Sequence, residues 1–339
     1  MSVQRGRLLD GPPSGRSLRL STVVRASTQA GLLLADAALW VFFALVAQGF
    51  LSSFNLFTLG RDIAIFTVIG FAQMVVLSLG GMNLAVGAIG GVAAIVGGWL
   101  MQAVGLPAPL AAALAVLLGG AMGLFNGWLV VRTGMSSFIV TLAMASVYTG
   151  LMIIVTQAQA FSSLPIDFLS FGQGSVAGLS PLVVVMVIVA VGLFLLYRNS
   201  ELGRWMLAVG ANPRAAELSG IPVGRTIQIA HALSGLLAGV AGVMLTARLA
   251  SAVPSIGADW VLPSFLAPVL GGTLLSGGVV STVGTLLGGI LVVSITNGLN
   301  LMQVNSFWVQ FFQGIVLLIA VGIDRLRTVV AARGALVSR

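Results

Sequence analysis

The chain has 339 residues, 58% of them hydrophobic and 7% charged, with a mean hydropathy of +1.11 and a net charge of +8. No water-soluble protein of this length has that composition; it belongs to a polytopic membrane protein, with room for about ten helical crossings at roughly 20 apolar residues each. All 16 basic residues are arginine, and neither lysine nor cysteine occurs, which excludes a P-loop ATP site within the chain, disulfides, thiol catalysis and zinc–thiolate sites together.

The apolar runs are long and unbroken rather than alternating, so the expected class is all-α and not a β-barrel. The excess of arginine fits cytoplasmic loops and calls for no nucleic acid. Residues 1–28 carry Arg5, Arg7, Arg16, Arg19 and Arg25 among Gly, Pro and Ser, and are expected to form a disordered basic cytoplasmic arm. They do not read as a cleaved signal peptide, because no small-x-small site closes the apolar run that follows. A membrane domain is expected over 29–327, and a cytoplasmic tail over 328–339. Its first span is 31–50, with Asp36 near the cytoplasmic end in a structural role. The next four spans are expected over 62–79, 84–102, 107–131 and 136–156.

A polar outer loop over 157–180 leads to a sixth span at 181–197. After a long polar passage come a seventh span ending near Ala247, an eighth over 260–275, a ninth over 281–300 and a tenth over 307–323. Pro263 and Pro268 make the eighth a kinked or broken helix, which requires burial among other helices. Ten crossings with both termini in the cytoplasm put Arg132, Arg198, Arg204, Arg214, Arg225 and the two terminal clusters inside, and only Arg61 and Arg248 outside. An internal echo links LGGMNLAVG at 79–87 with LGGTLLSGG at 270–278, and the Gly97-Gly98 pair with Gly288-Gly289. Repeats of this kind are common in transporters, where the substrate path runs between them.

The polar passage at 197–225 reads as a docking segment. Asn212 can cap a helix that opens at Pro213, where a missing N–H costs nothing, and Gly220 before Ile221-Pro222 stops it after about two turns. That helix offers Arg214, Ala215, Ala216, Glu217 and Leu218. Two charges, small residues and one apolar anchor suit either a groove on a partner or a position against lipid headgroups.

Little chemistry remains in the spans. No catalytic residue, metal site or cofactor is expected, and the single histidine, His231, is read as a packed imidazole. Uncharged polar groups are what the spans do carry. Gln73, Asn83, Asn126, Thr141, Asn297 and Asn300 are candidates to line a passage for a small neutral hydroxylated solute, although each one alone reads as an interhelical bond.

These passages, in this order, resemble the membrane permease subunit of ribose-type sugar ABC importers. The likeness runs from about Phe54 to Arg327. It is carried by GGMNLAVGA at 80–88, FIVTLA at 138–143, LGRWMLAVGANPRAAELSGI at 202–221, ARLASAVPSIG at 247–257, VLGGTLLSGG at 269–278 and NGLNLMQV at 297–304. The resemblance implies an inner-membrane subunit without ATPase activity, paired with a second copy, bound below by a cytoplasmic ABC ATPase subunit and fed from outside by a solute-binding protein. It further implies that 198–225, through Gly203, Arg204, Gly210, Asn212, Arg214, Ala215, Ala216, Glu217 and Gly220, is the ATPase-coupling segment. The sequence departs from the family pattern at Asn83, where an aspartate is common. A stand-alone facilitator is the alternative.

Overall fold

A computed structural model describes residues 15–175 and 178–305, and scattered positions as far as 322. Twelve helices form and no strand appears among the described residues. Helix α1 spans Gly15–Val46, so the second half of the arm expected to be disordered is helical. The reason is local: Pro12 and Pro13 precede it, and no Gly or Pro interrupts Arg16 to Ala30.

Helix α2 (Ser53–Leu77) opens on Ser52, whose hydroxyl accepts the Asn55 N–H at 3.3 Å. Then follow α3 (Val86–Gln102), α4 (Ala108–Thr133), which Gly134 ends at φ +68°, and α5 (Ser137–Thr156). The expected outer loop contains a short helix, α6 (Ile166–Gln173), before α7 (Pro181–Asn199). The polar passage folds into α8 (Glu201–Ala211) and α9 (Pro213–Leu218), and α10 (Val223–Leu249), α11 (Val261–Leu270) and α12 (Thr282–Leu301) complete the order. Seven of these, α1, α2, α4, α5, α7, α10 and α12, are long and apolar enough to cross a membrane, while α3 and α11 are shorter apolar helices. The tenth expected span, 307–323, is described only at scattered positions.

The eighth expected span is a broken one. From Ala250 to Trp260 the chain is not helical and runs back along α3, with Ala252 against Gly98, Ile256 against Gly91 and Gly257 against Gly87. Only then does the ten-residue α11 form, with Pro268 inside it. Non-helical backbone at this depth is tolerated because it is enclosed by protein: Phe161 and Ala252 exchange both backbone bonds at 2.9 Å, and Ala252 and Ile256 are buried.

Helix α10 is the central post, packed on α4, α2 and α3. Its seam with α4 is made of backbone. A Cβ on Gly123 would stand 2.1 Å from the His231 carbonyl oxygen, and one on Gly235 2.3 Å from that of Gly119. Only glycine allows this approach, as in other small-residue contacts between membrane helices. Helices α2 and α10 are mostly buried, whereas α5 and α7 expose rows of Ile, Leu and Val.

Candidate functional site

The two echoed sequences are the two non-helical turns that follow α2 and α11, and the fold brings them into contact. The first turn, 78–85, carries Gly80 at φ +73°, and the second carries Gly272, Gly277 and Gly278 at φ +85°, +87° and +77°. These are left-handed conformations that glycine adopts without a Cβ penalty. The Gly278 N–H donates to the Ser78 carbonyl at 2.9 Å, and a Cβ on Gly80 would meet the Ser276 carbonyl oxygen at 2.8 Å.

Helix α8 seats on both turns at once. A Cβ on Gly210 would lie 1.9 Å from the Ser78 oxygen and 2.5 Å from the Gly278 nitrogen, so this glycine lets helix and turns touch through backbone alone. At the other end of α8, Ser200 caps by accepting the Gly203 N–H at 3.0 Å, and Gly203 presses against the Leu196 carbonyl of α7. Arg204 is exposed and donates to the Asn199 carbonyl at 3.3 Å. The arm is thus held at Gly203 by α7 and at Gly210 by the turns.

Beyond it, the Asn212 side chain accepts the Ala215 N–H at 3.1 Å and opens α9 at Pro213, and Gly220 at φ +80° turns the chain away. Ala216 is buried beneath this short helix. Arg214, Ala215 and Glu217 face solvent, and Leu218 is 85% exposed. A leucine that open at the tip of a well-capped helix has no partner among the described residues.

Four of the six path candidates are spent on holding the first turn and its neighbours. Asn83, fully buried, donates to the Ser234 hydroxyl of α10 at 2.9 Å and accepts the Ala85 N–H at 3.0 Å. With its amide nitrogen toward the Asn83 carbonyl, Gln73 donates there at 3.0 Å and accepts the Asn83 N–H at 3.3 Å. Thr141 of α5 accepts the Leu84 N–H at 3.0 Å, and Asn126 of α4 accepts the Tyr148 hydroxyl at 2.8 Å. These bonds pair groups that would be costly in a bilayer alone, except that the buried Asn126 amide nitrogen has no partner among the described residues.

Asn297 and Asn300 lie elsewhere. Asn297 exchanges amide bonds with Asn55, each 3.0 Å, and both asparagines of α12 line a cavity of about 180 Å³ with Asp62, Phe66, Arg248 and Gln313. Arg248 grips Asp62 through both nitrogens, one of the bonds at 2.9 Å. That ion pair was missed from the sequence, although Arg248 stands beside one of the few carboxylates in the spans. His231 is buried in the α4–α10 seam. No group of three or more His, Asp or Glu that could hold a metal ion is present among the described residues.

A second set was also not anticipated. Ser146, Thr149 and Gly150 of α5 line an open groove of about 360 Å³ with Leu84, Gly87 and Ala88 at the first turn and Gly257, Ala258 and Val261 before α11. The groove therefore joins the first echoed turn, the broken segment and the exposed side of α5. Its hydroxyls sit one turn apart on one helix, a spacing visible in the sequence but without distinguishing chemistry there.

The profile of a family described as "Branched-chain amino acid transport system / permease component" matches residues 54–321. The chain is 38% identical over 285 residues to the ribose import permease protein of Bacillus subtilis (strain 168), covering 83% of this chain and 88% of that one. It is 34% identical over 287 residues to the D-allose transport system permease protein of Escherichia coli (strain K12), covering 84% and 88% respectively. To the L-arabinose ABC transporter permease protein of Azospirillum brasilense it is 34% identical over 299 residues, 88% of each chain. No solved structure matches the chain significantly. The chain belongs to the membrane-permease family of ribose-type ABC importers.

Proposed function

We propose that this multi-pass inner-membrane subunit forms the path by which a sugar or similar hydroxylated solute is imported, and that a separate cytoplasmic ATPase drives it through α8 and α9. The single observation that carries the coupling role is the seating of Gly210 on both echoed turns, while α9 presents Arg214, Glu217 and the open Leu218 to the other side. A partner that takes Leu218 into a groove would push on α8, and α8 touches both halves of the repeat without an intervening side chain. Rigid coupling needs contact of that kind.

In this reading α3, the broken segment ending in α11 and segment 307–323 cross together with the seven long apolar helices, which makes ten crossings with both termini in the cytoplasm. Two copies facing each other across the groove of Ser146 and Thr149 would enclose a lined passage, with the exposed apolar faces of α5 and α7 taken by the second copy and by membrane lipid. A solute-binding protein supplies the solute from outside. The relatives import ribose, allose or arabinose by name, and an uncharged path with hydroxyls and amides suits that class.

The test is Leu218→Asp, at a position too exposed to affect folding. The expected outcome is loss of ATP-driven uptake and of ATPase co-purification, with thermal stability in detergent unchanged. Uptake that survives Leu218→Asp together with Glu217→Arg would remove α9 from the mechanism. Solute equilibration by the chain alone in vesicles would favour a facilitator instead.

A further inference from the structure

The end of α7, the middle of α8, the N-terminus of α12 and Gln29 of α1 enclose a cavity of about 290 Å³, whose lining includes Arg198, Ser281, Thr282, Phe194 and Leu207. One half is built for an anion. Ser281 caps the 20-residue α12 by accepting the Gly284 N–H at 3.0 Å, and it is held by the Gln29 amide at 3.1 Å. The N–H groups of Thr282 and Val283 that follow have no partner among the described residues, so the positive end of a long helix opens into the cavity. Thr282, only 8% exposed, lines the same space, and its hydroxyl likewise has no partner there. A hydroxyl open to the cavity offers a donor to a ligand atom there. Arg198 supplies the charge from the opposite wall, its guanidinium 5.6 Å from the ring centre of Phe194.

The other half is apolar. Phe194, Leu207, Val280 and Val283 line it, and α7, which supplies Phe194, also exposes Val191 and Leu195. A soluble phosphate would use the first half and leave the second in water. An amphiphile with a phosphate next to its chains would use both.

We propose that this cavity binds the headgroup of an anionic phospholipid from the cytoplasmic leaflet. The phosphate lies between Arg198, the Thr282 hydroxyl and the free N–H groups of α12, and the glycerol and upper chains lie along Phe194 and Leu207. The proposal rests on the crossing scheme above, which sets the last turn of α7 at the cytoplasmic surface. Because Leu207 belongs to α8, the lipid touches the arm assigned to coupling.

The test is native mass spectrometry of the full chain, purified in detergent and titrated with phosphatidylglycerol or phosphatidylcholine of the same acyl chains. One phosphatidylglycerol is expected to be retained with a preference of about fivefold, the effect of one basic residue at an anionic surface. Arg198→Ala with Thr282→Val should abolish that preference, and Arg132→Ala, at the cytoplasmic end of α4, should not. Arg198→Ala alone, an exposed change, keeps the test valid if the double variant is unstable. Equal retention of both lipids, an unchanged preference in the Arg198 variants, or the same loss in Arg132→Ala would overturn the site. Displacement of the lipid by millimolar inorganic phosphate would reassign it to a soluble anion. The chain has no cysteine, so Arg198→Cys reports the side directly. Labelling from outside sinks the crossing scheme, whereas labelling from inside with no lipid preference sinks only the lipid site. Neither measurement involves solute or ATPase.

Discussion

The two echoed turns share a glycine pattern and a contact, yet they are fixed in place by different means. The turn after α2 is tied by side chains to three helices: Gln73 of α2 brackets its backbone, Ser137 and Thr141 of α5 bond the Met82 and Leu84 N–H groups, and Ser234 of α10 receives Asn83. The turn after α11 has Leu274 at the position of Asn83, and most of its bonds are its own, such as the Thr273 N–H to the Pro268 carbonyl at 2.9 Å and the Leu274 N–H to the Val279 carbonyl at 3.2 Å. One turn is therefore part of a rigid frame. The other keeps its shape but is joined to that frame chiefly through Ser78 and through α8. A displacement of α8 should move the second turn more readily than the first, so that the proposed coupling through α8 would act on one fixed and one compliant half.

The comparison is broken most severely at the residue that serves both turns. Gly210→Val places a side chain where backbone oxygen and nitrogen already stand, and overpacking of about 1–3 kcal/mol should cut ATP-driven uptake roughly tenfold or more. Uptake assays in vesicles with the ATPase present would show it, and near-normal uptake would mean that the arm does not act through the turns. Next in size, Asn83→Leu makes the first turn resemble the second and leaves the Ser234 hydroxyl and the Ala85 N–H unpaired. Thermal unfolding in detergent should register a loss of about 1–3 kcal/mol. The converse change, Leu274→Asn, falls on a partly exposed residue of the self-contained turn and should shift stability by no more than about 0.5 kcal/mol. Equal effects from the two exchanges would erase the distinction between the turns.

Local signals in the chain were legible, and distant pairings were not. Asn212, Pro213 and Gly220 foretold α9 because cap, first turn and stop lie within a few residues of each other. Pro263 and Pro268 marked the eighth span as irregular, yet both lie within α11, and the non-helical stretch precedes them at 250–260. Helix α8 was hidden, since Gly203 and Gly210 look like loop residues until the surfaces they press against are known. The amides of Asn55 and Asn297 meet across 242 positions, and neither spacing nor composition joins them. Among the path candidates, Gln73, Asn83, Asn126 and Thr141 each bond a group of the same chain, while the Asn126 amide nitrogen has no partner among the described residues. The groove of Ser146 and Thr149 carried too little chemistry to stand out from an apolar helix.

The seam between α4 and α10 has a consequence for where cargo travels. Where Gly119 and Gly123 of α4 meet His231 and Gly235 of α10 the two backbones touch directly, and parting them there would leave close-packed glycine surfaces without partners. That pair acts as a bulkhead. A route for a polar solute therefore does not run through this seam, and a cycle that opens such a route can leave the bulkhead shut.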